Sequence, residues 1–399
     1  MRLGLVLFLL SGCYQRHLLA DEVPSEDGGR PLDVGVPDAE PPDAPDARVP
    51  TCDPEGWRVE TVSAGATFGD VAVGIGGGGG IHVAFSRRDP GRSELRYAVR
   101  DGEAWETATL QDQVTAYPSG RTIALEVVGD RPSLAYFGKV PGGRADMVWF
   151  RPEPFGEPEQ VTALGLDLRA PHLSMARGVI AYRSHVNNLV WAEPTDAAWM
   201  LEATASFAPM AIATEGGPDG TRGIATRIDE IIRGPGGEVA EVIEKLHTHD
   251  RELELARRPD IAPVHDCALE GITLAMHEGG YDVVLPVAER TFVGHACNLW
   301  HVEVAEEHRG GIAYYPFLPG ESLALDMARE ANRLHVAVVQ DELRYATGAR
   351  DEWLIEAVPV DARGVRAVRV AFGPDDAVAI ALLRDGDDDE IVVASRGPC

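Results

Sequence analysis

Two distant segments of this 399-residue chain repeat one frame, and that repeat constrains the fold more than any other feature. Ile81–Ser86 reads IHVAFS and is followed by Glu94–Leu110, ELRYAVRDGEAWETATL. Leu334–Val339 reads LHVAVV and is followed by Glu342–Val358, ELRYATGARDEWLIEAV. The shared order is apolar-His-Val-Ala, then Glu-Leu-Arg-Tyr-Ala, a polar turn, and Trp105 or Trp353 heading an alternating run. Fainter copies are PSLAYF (Pro132–Phe137) with MVWF (Met147–Phe150), VIAYRS (Val179–Ser184) with NLVWAEP (Asn188–Pro194) and Trp199, and VAIALL (Val378–Leu383) with EIVVAS (Glu390–Ser395). Such a period marks a module that buries its apolar surface only by stacking on copies of itself.

Each copy alternates apolar and polar residues between Gly, Asp, Pro or Asn, the pattern of short antiparallel strands joined by tight turns. Amphipathic helices are scarce; Val239–Leu246, inside an apparent insertion, is the best candidate. Each unit holds four strands: one ending in Gly or a turn, one of the IHVAFS type, one of the ELRYAV type, and one after Trp. Seven units fit between about Thr67 and Arg396, and four strands per 40–50 residues is the period of a β-propeller blade. Units four and five are irregular, so six or eight blades remain open. The expected fold is therefore all-β, a β-propeller most readily built from seven four-stranded blades. Trp57–Val62 has the character of a last-blade strand and is expected to close the ring, removing an exposed edge.

Over nearly all of residues 57–399 the chain resembles propeller-containing surface lipoproteins with YAxRDG…W repeats and, distantly, the Asp-box propellers of sialidases. The sialidase resemblance implies an arginine triad, a Tyr–Glu nucleophilic pair and Ser-x-Asp-x-Gly-x-Thr-Trp boxes. Ala98–Trp105 keeps only the Asp-Gly and the Trp, at a different spacing, so no catalytic residues carry over. The repeat aromatics Tyr97, Trp105, Tyr345 and Trp353 are expected to fill space between blades. His82 and His335 are read as hydrogen-bonded strand residues rather than ligands.

The N-terminus carries a different signal. Arg2, the apolar run Leu3–Leu10 and Ser11-Gly12-Cys13 form a short leader with a small-residue cleavage site. This resembles the lipobox of bacterial lipoproteins. The resemblance implies loss of residues 1–12, lipid attachment at Cys13 with acylation such as palmitate, and, with Tyr14 rather than Asp following, an outer-membrane location. Residues 13–50 then form a tether. Between residues 20 and 50 nine acidic residues face Arg30 and Arg48, Pro recurs, and no aromatic residue occurs, a composition that stays extended rather than building a core. Residues 51–399 form the propeller domain.

Besides Cys13 the chain has Cys52, Cys267, Cys297 and Cys399. An even number in an exported protein reads as disulfides with three possible pairings. A closed ring favours Cys52–Cys399 across the seam, with Cys267–Cys297 stapling the fifth blade. Metal ligation by cysteine is weak at this spacing.

Seven of twelve histidines lie between His247 and His308. His247, His249 and Asp250 could hold zinc or copper from one strand face, although a polar surface loop is the plainer reading. The acidic run Asp385–Glu390 suits calcium in composition but lacks the twelve-residue loop, and reads as a hairpin turn. Gly76–Gly80 has no following Lys-Ser/Thr and no helix, so it is a flexible turn rather than a phosphate loop. No Gly-x-Ser-x-Gly elbow occurs, and Lys139 and Lys245 are the only lysines. A net charge of −28 argues against nucleic acid, which selects basic patches.

The sequence thus points to a monomeric, membrane-anchored, extracytoplasmic propeller that binds a protein or glycan and needs no cofactor. The alternatives are a polysaccharide-acting hydrolase or lyase, metal-dependent in one form, and a structural part of a cell-envelope assembly.

Overall fold

The computed structural model describes residues 56–397, apart from 90–91, 101, 115–119, 140–145, 163–171, 185–187, 196–197, 204–210, 217–221, 234–238, 249–251, 260–272, 278–279, 292–293, 306–311, 320–323, 331–332, 351 and 387–388. Among these residues the chain forms seven four-stranded antiparallel sheets and one 3-10 turn at Pro374–Asp376. Sheet one runs Thr67–Ile75, Ile81–Asp89, Arg92–Arg100 and Trp105–Asp112. Sheets two to six follow the same meander, their first strands being Ile123–Val128, Leu173–Ala176, Ala211–Gly216, Thr273–His277 and Ala324–Glu330. Sheet seven takes Val365–Phe372, Val378–Arg384 and Glu390–Arg396 from the C-terminus and Arg58–Ala64 from the N-terminus.

The first strand of every sheet touches the first strand of the next, and that of sheet seven returns to that of sheet one. The sheets therefore surround an axis in a closed ring. Closure is made by the strand expected to make it: Arg58–Ala64 pairs antiparallel with Glu390–Arg396, from Arg58 opposite Ser395 to Ala64 opposite Glu390.

The core lies between sheets rather than within one. Phe68, Val71 and Phe85 of sheet one pack with Ala379, Ile391 and Val393 of sheet seven. Phe137 and Val148 of sheet two pack with Leu173 and Ile180 of sheet three. A middle strand is thus covered on both faces, which explains why IHVAF is buried throughout instead of alternating. Outer strands such as Trp105–Asp112 are the more exposed.

Two local expectations are corrected. Val239–Leu246 is neither a helix nor part of an insertion. It lies in strand Val239–Thr248 of sheet four, paired with Arg222–Arg233 on one side and Glu252–Pro259 on the other. Its i, i+3, i+4 apolar spacing matched a helix, but Val239, Val242 and Ile243 are β-branched and favour a strand with two partners. The Gly76–Gly80 turn is also not loose. Gly77 and Gly78 donate their amides to Gly129 O (2.6 Å) and Asp130 Oδ1 (2.7 Å) in the matching turn of sheet two. A Cβ on Gly76 would lie 2.8 Å from Asp130 Oδ1, so glycine permits this docking.

Candidate functional site

The first strands carry a layer of charged side chains close to the axis. Asp70, in sheet one, is fully buried. Its Oδ2 accepts the amides of Thr122 (2.6 Å) and Ile123 (3.0 Å) at the start of sheet two. Its Oδ1 accepts its neighbour's amide at Val71 (2.8 Å) and Arg369 Nη2 of sheet seven (3.0 Å). Asp326, in sheet six, repeats the device: Oδ2 accepts the Val370 amide of sheet seven (2.9 Å) and Oδ1 accepts Arg121 Nη2 (2.6 Å). Arg121 precedes the first strand of sheet two, so this ion pair reaches past sheets seven and one. Arg121 also bridges His172 at the start of sheet three. One carboxylate thus caps the next sheet's backbone while holding a guanidinium from another sheet, a charge-assisted geometry stronger than a neutral hydrogen bond.

These residues are absent from the candidates read in the sequence. A signal was present, since Asp70 and Asp326 each interrupt an apolar first strand, in FGDVAV and ALDMA. Their convergence is tertiary.

The repeat histidines pair as expected. His82 Nδ1 lies 2.5 Å from Tyr97 Oη, and His335 Nδ1 meets Tyr345 Oη in the same way. Burial holds His335 down to about 4, with Arg333 and Arg396 lowering it further and Asp376 opposing them. Burial likewise lowers His82, against Asp130, and raises both tyrosines to about 12. A third buried imidazole, His301, is clamped: its Nδ1 accepts the Arg350 amide (3.1 Å), so Nε2 carries the proton and donates to Asp282 Oδ1 (2.7 Å). Asp282 also holds Arg329 of sheet six. Burial first, then Arg350, lowers His301 to about 4 despite Glu303. All three rings are neutral strand pins.

Acid should therefore weaken the fold. Below pH 6.5 the unfolded chain takes up protons that folded His301 and His335 refuse. Their contribution is complete above about 6.5 and is lost as pH falls toward about 4, roughly 1–2 kcal/mol each after allowing for partial solvent screening. Thermal melts between these limits should show the decline, and a His301→Gln/His335→Gln double variant should flatten it; a double variant with the parent slope would refute the assignment.

The repeat tryptophans fill space between sheets. Trp353 stacks on Phe317 of sheet five with centroids 4.2 Å apart. Trp199 of sheet three meets Phe150 of sheet two edge-on at 5.2 Å, and Trp105 packs against the sheet one–seven core. Each leans on the preceding sheet.

Of the remaining candidates, His247 lies on the third strand of sheet four, opposite Thr226 and Glu252. His249 and Asp250 lie outside the described residues, as do Cys13, Cys52, Cys267 and Cys399. Cys297 is buried on the third strand of sheet five and is disulfide-bonded. No group of metal-ligating side chains occurs among the described residues. Asp385–Glu390 joins two strands of sheet seven; Asp385 holds Arg366 (2.5 Å) and Glu390 holds Arg384.

No protein-family model matches the chain, and no curated protein matches it. Solved structures do. The polysaccharide lyase Uly1 aligns at 8% identity and TM-score 0.50, covering 82% of this chain and 89% of that chain. Trypanosoma rangeli sialidase, in complex with the inhibitor DANA, aligns at 9% identity and TM-score 0.41, covering 83% of this chain and 55% of that chain. The lectin of Aleuria aurantia, in complex with alpha-methyl-L-fucoside, aligns at 10% identity and TM-score 0.39, covering 66% and 88%. The ring of sheets and the likeness to Uly1 together make the fold a β-propeller.

Proposed function

We propose that this chain is a lipid-anchored extracytoplasmic propeller that binds a glycan or protein at the end of its axis where the first strands begin. One observation carries the reading. Asp70, Arg121, His172, Asp326 and Arg369 gather near that end, whereas the chain enters the ring at the other. The closing strand Arg58–Ala64 is the fourth of its sheet and runs antiparallel to the first, so the tether joins opposite the charged layer. An anchor at Cys13 would leave that end facing away from the lipid. The proposed pairs Cys52–Cys399 and Cys267–Cys297 would lock the seam and the fifth sheet.

The test is binding of the full chain, purified in detergent, to glycan and cell-surface protein panels, with product analysis of any bound polysaccharide. Binding that weakens about tenfold or more in Arg121→Ala supports the reading. Silence on both panels would count against it, and depolymerisation of a bound polysaccharide would replace a binder with an enzyme. Labelling with radioactive palmitate, lost in Cys13→Ala, tests the anchor separately.

A further inference from the structure

The geometry points to a second docking surface on the rim: the outer edge of sheet six accepts an extended basic segment of a partner protein as a fifth strand. Sheet six ends on Glu352–Ala357, and among the described residues no strand lies beyond it. Two large apolar side chains stand in solvent there, Leu354 at 65% and Ile355 at 36% exposure.

The ring does not require them. Sheet one is an internal control, because Trp105 and Trp353 head the equivalent outer strands. Aligned on those tryptophans, Glu106 and Thr107 occupy the places of Leu354 and Ile355, and both are exposed. Polar residues therefore satisfy the fold at these positions and guard an open edge against stray pairing. Sheet six carries the opposite choice. Main-chain groups of an open edge supply affinity for an added strand, and side chains at alternate positions supply selectivity.

The chemistry of the edge selects its occupant. Side chains two apart share a face, so Leu354 is flanked by Glu352 and Glu356. Glu356 already holds Arg396, so Glu352 supplies most of the attraction. A strand reading basic-x-apolar-x-basic places opposite charges and an apolar contact across this face. A second copy fits poorly. An antiparallel pairing centred on Leu354 would set Glu352 of one copy against Glu356 of the other, between chains that each carry −28.

The test uses the full chain and a fluorescent peptide of about ten residues repeating lysine-threonine-valine-threonine, so that lysine and valine alternate along one face, beside a peptide with glutamate in place of lysine. The lysine peptide should bind and the glutamate peptide should not. Hydrogen exchange at the alternate, outward-directed amides of Glu352–Ala357 should slow in the complex, a readout in the unaltered protein. Transplanting the sheet one residues, Leu354→Glu/Ile355→Thr, should weaken binding about tenfold or more. The reverse graft, Ala104→Glu/Glu106→Leu/Thr107→Ile/Ala108→Glu, which carries the acidic flank as well, should add a second site. Equal binding of both peptides, unchanged binding in the Leu354→Glu/Ile355→Thr variant, or exchange unaffected at this edge would each overturn the proposal. So would concentration-dependent dimerisation abolished by Leu354→Glu, which would make a second copy the occupant. None of these results depends on the axial ligand.

Discussion

Replacing Asp70 with alanine is expected to lower stability by about 3–5 kcal/mol, among the largest effects of any single substitution in this chain. The carboxylate is fully buried and serves three sheets at once. Its loss takes the carboxylate from buried Arg369, which keeps the Val368 carbonyl, and removes the acceptor of the Thr122 and Ile123 amides. A buried charge that loses its counter-charge and buried donors without an acceptor each cost more than the original bonds contributed. Asp70→Asn keeps the volume but turns a donor toward those amides, so it should recover only part of the loss. Arg369→Met should cost less than Asp70→Ala, because the backbone amides continue to satisfy the carboxylate. Urea midpoints of the three variants supply the ranking. If Arg369→Met proves the most damaging, the carboxylate is not the hub described here.

Deleting the chain through Ala64 should be more damaging still, on the order of 5 kcal/mol or more, a large share of a domain's total stability. The deletion exposes the Glu390–Arg396 edge, whose residues Ile391–Ala394 are buried in the intact ring. It also removes Trp57, which meets Tyr345 of sheet six at 5.4 Å and lies under Arg396. Glu60 goes too, and with it the partner of Arg100 from sheet one. One strand therefore ties three sheets, and an unpaired apolar edge invites association. The truncated chain should elute as aggregate, and a synthetic peptide spanning Trp57–Ala64 should restore monomer in trans. A truncated chain that stays monomeric with an unchanged urea midpoint would show that this strand does not close the ring.

The repeat frame made the architecture legible because its information is local. His82 with Tyr97 and His335 with Tyr345 sit on adjacent strands of one sheet, so a pattern within a short window encodes their contact. Trp105 and Trp353 mark the start of an outer strand just as locally, although their contacts lie on the preceding sheet. Sheet four was misread where VAEVIEKL satisfied helical spacing, because periodicity in one segment does not report the two strands that flank it. The rim was partly legible as well: Leu354 and Ile355 can be compared with Glu106 and Thr107 in the sequence, but only the sheet order shows that they line an open edge.

By itself the sequence determined the strand content, the four-strand module and the closing role of the segment after Trp57, since alternation, turn residues and repeats act over a few residues. The tertiary structure alone decided which charges meet. Asp70, Arg121, Asp326 and Arg369 come from sheets one, two, six and seven, and no spacing along the chain relates them. Ring closure is what brings distant first strands to a common axis, where burial makes each carboxylate depend on donors supplied by its neighbours.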